Sequence, residues 1–151
     1  MDEVGKIAII ADPQGAYVSL YQPGPESDAT GEGVFVWDEL GTNDVDGAQR
    51  FYETVFGWTT AEMGPEYGGY RVFNVGETGI AGLMKNPDDA IPPQWQPYVA
   101  VRDVDATFAK AKELGGSSCY DPMDVPKVGR IAAIKDPQGA IFGIIKPQPE
   151  S

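Results

Sequence analysis

Residues 37–58, WDELGTNDVDGAQRFYETVFGW, decide how this chain is organised. Leading into them, Val34, Val36 and Leu40 alternate with Phe35, Trp37 and Glu39, the period of two that marks a strand with two unlike faces. Asn43 or Asp44 then offers a helix N-cap. Val45, Ala48, Phe51, Tyr52, Val55 and Phe56 follow at helical spacing and predict one apolar stripe. Gly57 suits the helix stop, and a new strand starts at Trp58. The order is strand, short turn, helix, strand.

Two repeats extend this pattern to the rest of the chain. Residues 4–27, VGKIAIIADPQGAYVSLYQPGPES, match residues 128–151, VGRIAAIKDPQGAIFGIIKPQPES, at 14 of 24 positions. Each copy predicts two strands around a DPQG turn, where Asp-Pro starts the turn and Gly accepts a positive φ. The second repeat is a DVD triplet. Asp44-Val45-Asp46 stands 11 residues before Gly57, and Asp103-Val104-Asp105 stands 11 before Gly116. The second triplet opens a helix with Val104, Phe108, Ala111 and Leu114 on one face. Asp44 and Asp103 are helix caps rather than catalytic groups.

The strands and helices therefore fall into two β-α-β-β-β units. The first holds strand 33–40, helix 45–56 and strands 58–63, 69–75 and 78–85. The second holds strand 95–102, helix 104–114 and strands 117–121, 128–135 and 140–146. A polar, proline-rich linker, 86–94, joins them, and residues 23–32 form another. The predicted fold class is α+β: two βαβββ units (33–85 and 95–146) making a curved mixed sheet with helices on its outer face. An extra N-terminal hairpin precedes them, so the expected organisation is residues 1–27 as orphan hairpin and linker, then 28–151 as the main domain.

Composition narrows the function. The formal net charge is −12, which disfavours nucleic acid and anionic membrane, since phosphate recognition needs a basic face. No run approaches the roughly 20 apolar residues of a membrane span, and the acidic start MDEVGK lacks a signal peptide's apolar core. The single Cys119 cannot form an internal disulfide. Together these predict a cytoplasmic protein. The sequence has no histidine, which excludes Ser-His-Asp triads and every His-containing metal site.

Tandem βαβββ units, with DVDxxxxFYxxxFGW after the first strand and DPQGAIFGIIKP at the end, resemble the vicinal oxygen chelate superfamily of glyoxalases, bleomycin-resistance proteins and extradiol dioxygenases. The resemblance covers residues 33–147 and is nearest to the second domain of two-domain glyoxalase-like proteins. Residues 4–22 resemble the tail of a preceding domain. The resemblance implies metal-ligand positions at Trp37, Gln96, Gly82 and Gly143, and only Gln96 carries a donor side chain. We therefore expect no metal and no cofactor. The same register implies a groove bearing Phe35, Trp37 and Glu39 opposite Gly82, with Gln96 and Tyr98 opposite Gly143. Tyr67, Tyr70 and Arg71 are expected at its rim. Asp38 and Glu39 point to opposite faces of one strand and so cannot act as an acid/base pair on one substrate.

The expected function is binding of a small, aromatic or cationic molecule on Trp37 with Glu39 as counter-charge. The alternatives are a glyoxalase- or dioxygenase-like enzyme with an atypical metal site, or a non-catalytic assembly module. The apolar hairpin 4–22 is expected to reach across to a second copy and form a homodimer, because an exposed apolar hairpin is only marginally stable alone.

Overall fold

The computed structural model describes residues 5–23 and 31–148. Most of the linker expected at 23–32 lies outside them. The chain divides into two compact units, one built from residues of 1–28 and 38–95, the other from residues of 29–37 and 96–151.

The first unit holds strands β1 (Gly5–Ala11), β2 (Tyr17–Pro23), most of β3 (Phe35–Thr42), β4 (Thr59–Glu62), β5 (Arg71–Val75) and β6 (Thr78–Lys85), with helix α1 (Val45–Phe56). Its main sheet runs β4-β5-β6-β3. β3 lies parallel to β6, so the chain must cross over between them, and α1 begins that crossover. β3 extends two residues past its predicted end because Gly41 and Thr42 pair with Met84 and Lys85. Asp44 caps α1 by accepting from the Gly47 amide at 2.9 Å, and Gly57 closes it in the left-handed region at φ 68°. Ala48 and Tyr52 are fully buried against Leu40, Phe73, Ala81 and Leu83. The Tyr52 ring also meets Phe51, Phe56, Trp58 and Trp95. Val55, predicted in the stripe, is exposed, because the buried arc of the helix centres on Tyr52 and leaves it at the margin.

The second unit repeats this plan with most of β7 (Gln94–Ala100), α2 (Val104–Glu113), β8 (Ser117–Val125), β9 (Gly129–Lys135) and β10 (Ile141–Pro147), in sheet order β7-β10-β9-β8. The residues leading into β3 lie beside β7, with the Gly33 amide donating to Ala100 O and the Ala100 amide to Val34 O, both at 2.9 Å. Asp103 caps α2 through the Ala106 amide at 3.0 Å. Val104 and Phe108 pack on Ala132, Ile134 and Ile144. Leu114 is exposed, contrary to its predicted place on the stripe, because the helix ends at Glu113 and Leu114 is only its cap. β8 outruns its predicted end, pairing with β9 as far as Val125 opposite Gly129.

The DVD triplets do two jobs each. The first Asp caps the helix, and the third holds an arginine from the unit's third strand: Asp46 with Arg71 at 2.8 Å, Asp105 with Arg130 at 2.7 Å.

The two DPQG turns agree bond for bond. Asp12 Oδ1 accepts from the Gln14 and Ala16 amides, and Asp136 Oδ1 from those of Gln138 and Ala140. The first turn is also seated on α1 of its own chain. Tyr52 Oη donates to Asp12 Oδ2 at 3.1 Å, Trp95 Nε1 donates to Tyr52 Oη at 3.0 Å, and Gln14 Nε2 donates to Asp44 Oδ2 at 3.2 Å. Ala16 is buried in the core beneath. The tip of the hairpin is thus latched within the chain by matched polar groups. β1 and β2 pair with each other alone among the described strands.

Candidate functional site

The sheet of each unit has one face covered by its helix and one face turned away. In the first unit Leu40, Ala81 and Leu83 face α1, so by alternation Glu39 and Gly82 face away. Glu39 stands directly opposite Gly82, which pairs on with Val72 and then Ala61. Along this row Gly82 is buried and Val72 half-buried. Tyr70, from the turn before β5, reaches over and donates its hydroxyl to Glu39 Oε2 at 2.9 Å. Glu39 is half-buried. Asp38, on the other face of β3, has its carboxyl pushed above the ordinary value by burial.

The second unit carries the matching row. Tyr98 stands opposite Gly143, which pairs with Ala133 and then Tyr120. The two tyrosines lean inward over the two small residues, and their hydroxyls meet at 2.9 Å. A methyl group on Gly143 would overlap the Tyr98 ring, so the ring itself explains the glycine. Tyr98 is only 4% exposed, which makes it a wall of the face rather than an open stacking platform.

The remaining expected site residues are more open. Phe35 is 71% exposed and Trp37 half-buried, both on the Glu39 side of β3 by alternation. Gln96 is half-buried near the start of β7. Arg71 does not join the rim: its guanidinium donates to Asp46 and Gln49 and so faces α1. Tyr67 lies half-buried in the short helical turn Pro65–Tyr67. The Tyr120 partnership was not anticipated. No pattern in the sequence marks it, because the pairing of β8 with β9 shifts once on each side of that residue.

The metal centre implied by the resemblance does not fit these residues. Trp37, Gly82 and Gly143 offer no donor side chain, and Glu39 is engaged by Tyr70. Among the described residues no three of His, Cys, Asp or Glu stand together as a metal-holding group. A divalent ion needs several oxygen or nitrogen donors at once.

Known proteins place this architecture. The fold is shared with methylmalonyl-CoA epimerase from Mycobacterium tuberculosis at a TM-score of 0.55 and 22% identity, covering 78% of this chain and 89% of that one. It is also shared with a variant of homoprotocatechuate 2,3-dioxygenase from B. fuscum at 0.57 and 19%, covering 84% and 36%. In sequence, the chain is 42% identical over 152 residues to the protein named "Putative glyoxylase CFP32" of Mycobacterium tuberculosis, covering 98% of this chain and 58% of that protein. It is 35% identical over 147 residues to the anthracycline biosynthesis protein DnrV of Streptomyces peucetius, covering 95% and 53%. It thus spans little more than half the length of these relatives. The model of the Glyoxalase/Bleomycin resistance protein/Dioxygenase superfamily matches residues 34–144, and with the twin βαβββ units that carry the match, this chain belongs to that superfamily.

Proposed function

We propose that this protein binds a small aromatic or cationic molecule on the sheet face that carries Trp37 and Glu39, without a metal of its own. The observation that carries this reading is the Glu39–Tyr70 pair. A half-buried carboxylate stands on the face turned away from the helix, directly opposite Gly82, with its position fixed by a tyrosine hydroxyl. A carboxylate so placed favours a positive group. The half-buried Trp37 on the same side of β3 offers a ring for stacking. The net charge of −12 draws cations toward the molecule. One relative is named for anthracycline biosynthesis, which suits an aromatic ligand. The donor set argues against inheriting the metal chemistry of the family's enzymes. The exposed, unpaired Cys119 suits a reducing, cytoplasmic setting. A tryptophan-fluorescence and thermal-shift screen compares flat aromatic cations with neutral aromatics of equal area. Saturable quenching by the cations alone supports the reading, and no response to any compound at millimolar concentration counts against it.

A further inference from the structure

The Tyr52 ring is fully buried and meets two tryptophans of the first unit. Trp58 stacks on it at 5.9 Å between ring centroids, and Trp95 stands edge-on to it at 5.4 Å. Both tryptophans are half-buried, so solvent reaches part of each indole. The phenol donates to Asp12 Oδ2 at 3.1 Å, and Asp12 is itself buried. Trp95 Nε1 donates to the same phenol oxygen. Packing here calls for a ring, and phenylalanine would fill the space with no polar atom to satisfy. The turn calls only for the first oxygen of its aspartate. Asp12 Oδ1 takes the Gln14 and Ala16 amides, as Asp136 Oδ1 takes those of Gln138 and Ala140. Neither need explains a phenol set against the second oxygen of a buried carboxylate. Burial pushes the Tyr52 hydroxyl well above its ordinary value, so it is held as the neutral phenol.

We propose that Tyr52 is a redox-active tyrosine, oxidised through Trp58 or Trp95 with Asp12 as its proton acceptor. A one-electron oxidant, a diffusing radical, takes an electron from a half-buried indole and is itself reduced. The oxidised indole regains its electron from the Tyr52 ring in contact with it. The phenol O–H bond breaks, and its proton passes along the existing hydrogen bond to Asp12 Oδ2. The products are a neutral phenoxyl radical and the Asp12 carboxylic acid. A one-electron reductant returns the electron, and the proton goes back to the oxygen it left. An oxidised phenol is a strong acid and a charged group in an apolar core, so a base already in place is what lets this ring be oxidised there. The Trp95 indole N–H stays on the phenoxyl oxygen, which keeps that oxygen satisfied.

Pulse radiolysis of the full chain with the azide radical, which oxidises indole rings, is the test. Indolyl and tyrosyl radicals have separate visible bands, so the passage from one to the other is timed directly. In the parent the indolyl signal is expected to decay into a tyrosyl signal at a rate independent of protein concentration. That rate should fall in heavy water, because a proton moves with the electron. Tyr52→Phe should remove most of the tyrosyl signal. Asp12→Asn keeps an acceptor at the hydroxyl but is a far weaker base, and should slow the passage roughly tenfold or more. A purely structural bond between Tyr52 and Asp12 would move the urea midpoint of these variants and leave the radical kinetics as they are. If a variant does not fold, the heavy-water result on the parent decides. No tyrosyl signal in the parent, a signal that survives Tyr52→Phe, or a rate unmoved by Asp12→Asn or by heavy water each overturns the proposal.

Discussion

Glu39 and Tyr98 occupy the same place in their respective units, each standing opposite a glycine of the closing strand, Gly82 for Glu39 and Gly143 for Tyr98. One unit has put a charge at this position and the other a ring. Both are tied at the tip by a tyrosine hydroxyl, Tyr70 and Tyr120. The duplicated fold thus makes two equivalent perches and fills them with different chemistry.

The ring over Gly143 leaves no room for a methyl group. Gly143→Ala should therefore cost about 1–3 kcal/mol through overpacking of a buried site. Pairing it with Tyr98→Ala should recover part of that loss, because the two changes share one contact. Urea denaturation of the two single variants and the double variant measures both, and strict additivity would show that the ring is not what the glycine accommodates.

Tyr52 links the hairpin turn to the core by donating to Asp12 and accepting from Trp95. Tyr52→Phe keeps the ring and removes both bonds. It leaves the buried Asp12 carboxylate short of a partner, at a cost of about 1–3 kcal/mol. Hydrogen exchange should speed up at Gly15 and Ala16 while the corresponding Gly139 and Ala140 stay unchanged. Equal change at both turns would mean that the bond does not anchor the hairpin specifically.

The Asp105–Arg130 ion pair predicts a sign for acid sensitivity. The guanidinium of Arg130, bonded to Asp105, holds that carboxyl below its ordinary value. A carboxyl depressed in the folded state contributes stability above its unfolded pKa, and that contribution fades as pH falls through the folded value. Asp105 is exposed and Arg130 partly so, and the contribution is therefore small and screened by salt. Asp105→Asn should lower stability slightly at pH 7 and flatten its decline below about pH 4, the ordinary carboxylate value. Chemical denaturation from pH 7 to pH 3 checks this, and a variant whose acid profile matches the parent's would show that the pair contributes nothing to folding.

Much of this fold was legible because its signals are local. The stripe around Tyr52, the caps Asp44 and Asp103, and the DPQG turns each depend on residues a few positions apart. The partnerships of Arg71 with Asp46 and Arg130 with Asp105 were not legible, although both arginines follow their triplets at the same distance. An arginine in a strand does not announce which face it takes until the register is fixed. The site was half legible. Alternation puts Glu39 and Trp37 on one side of β3, but the pairing of Glu39 with Gly82 and of Tyr98 with Gly143 comes only with the register. The close neighbour of Gly143 is the Tyr98 ring. Tyr120 was missed because the pairing of β8 with β9 shifts on both sides of it.

The residues at the family's ligand positions predict that protein purified without chelators carries zinc, nickel, iron or manganese at well below one ion per chain. Elemental analysis decides, and a stoichiometric signal for any of these would show that donors come together in a way the described residues do not.

Calorimetric titration of the tightest cationic aromatic found in the screen, with the parent protein and Glu39→Gln side by side, asks whether the Glu39 carboxylate holds a positive group. The variant keeps the shape and the acceptor for Tyr70 but loses the charge. The variant's affinity should be weaker by roughly tenfold or more, the equivalent of about 1.4 kcal/mol, with the parent's affinity falling as salt is raised and the variant's falling less. Equal affinity and equal salt dependence in the two proteins would contradict it.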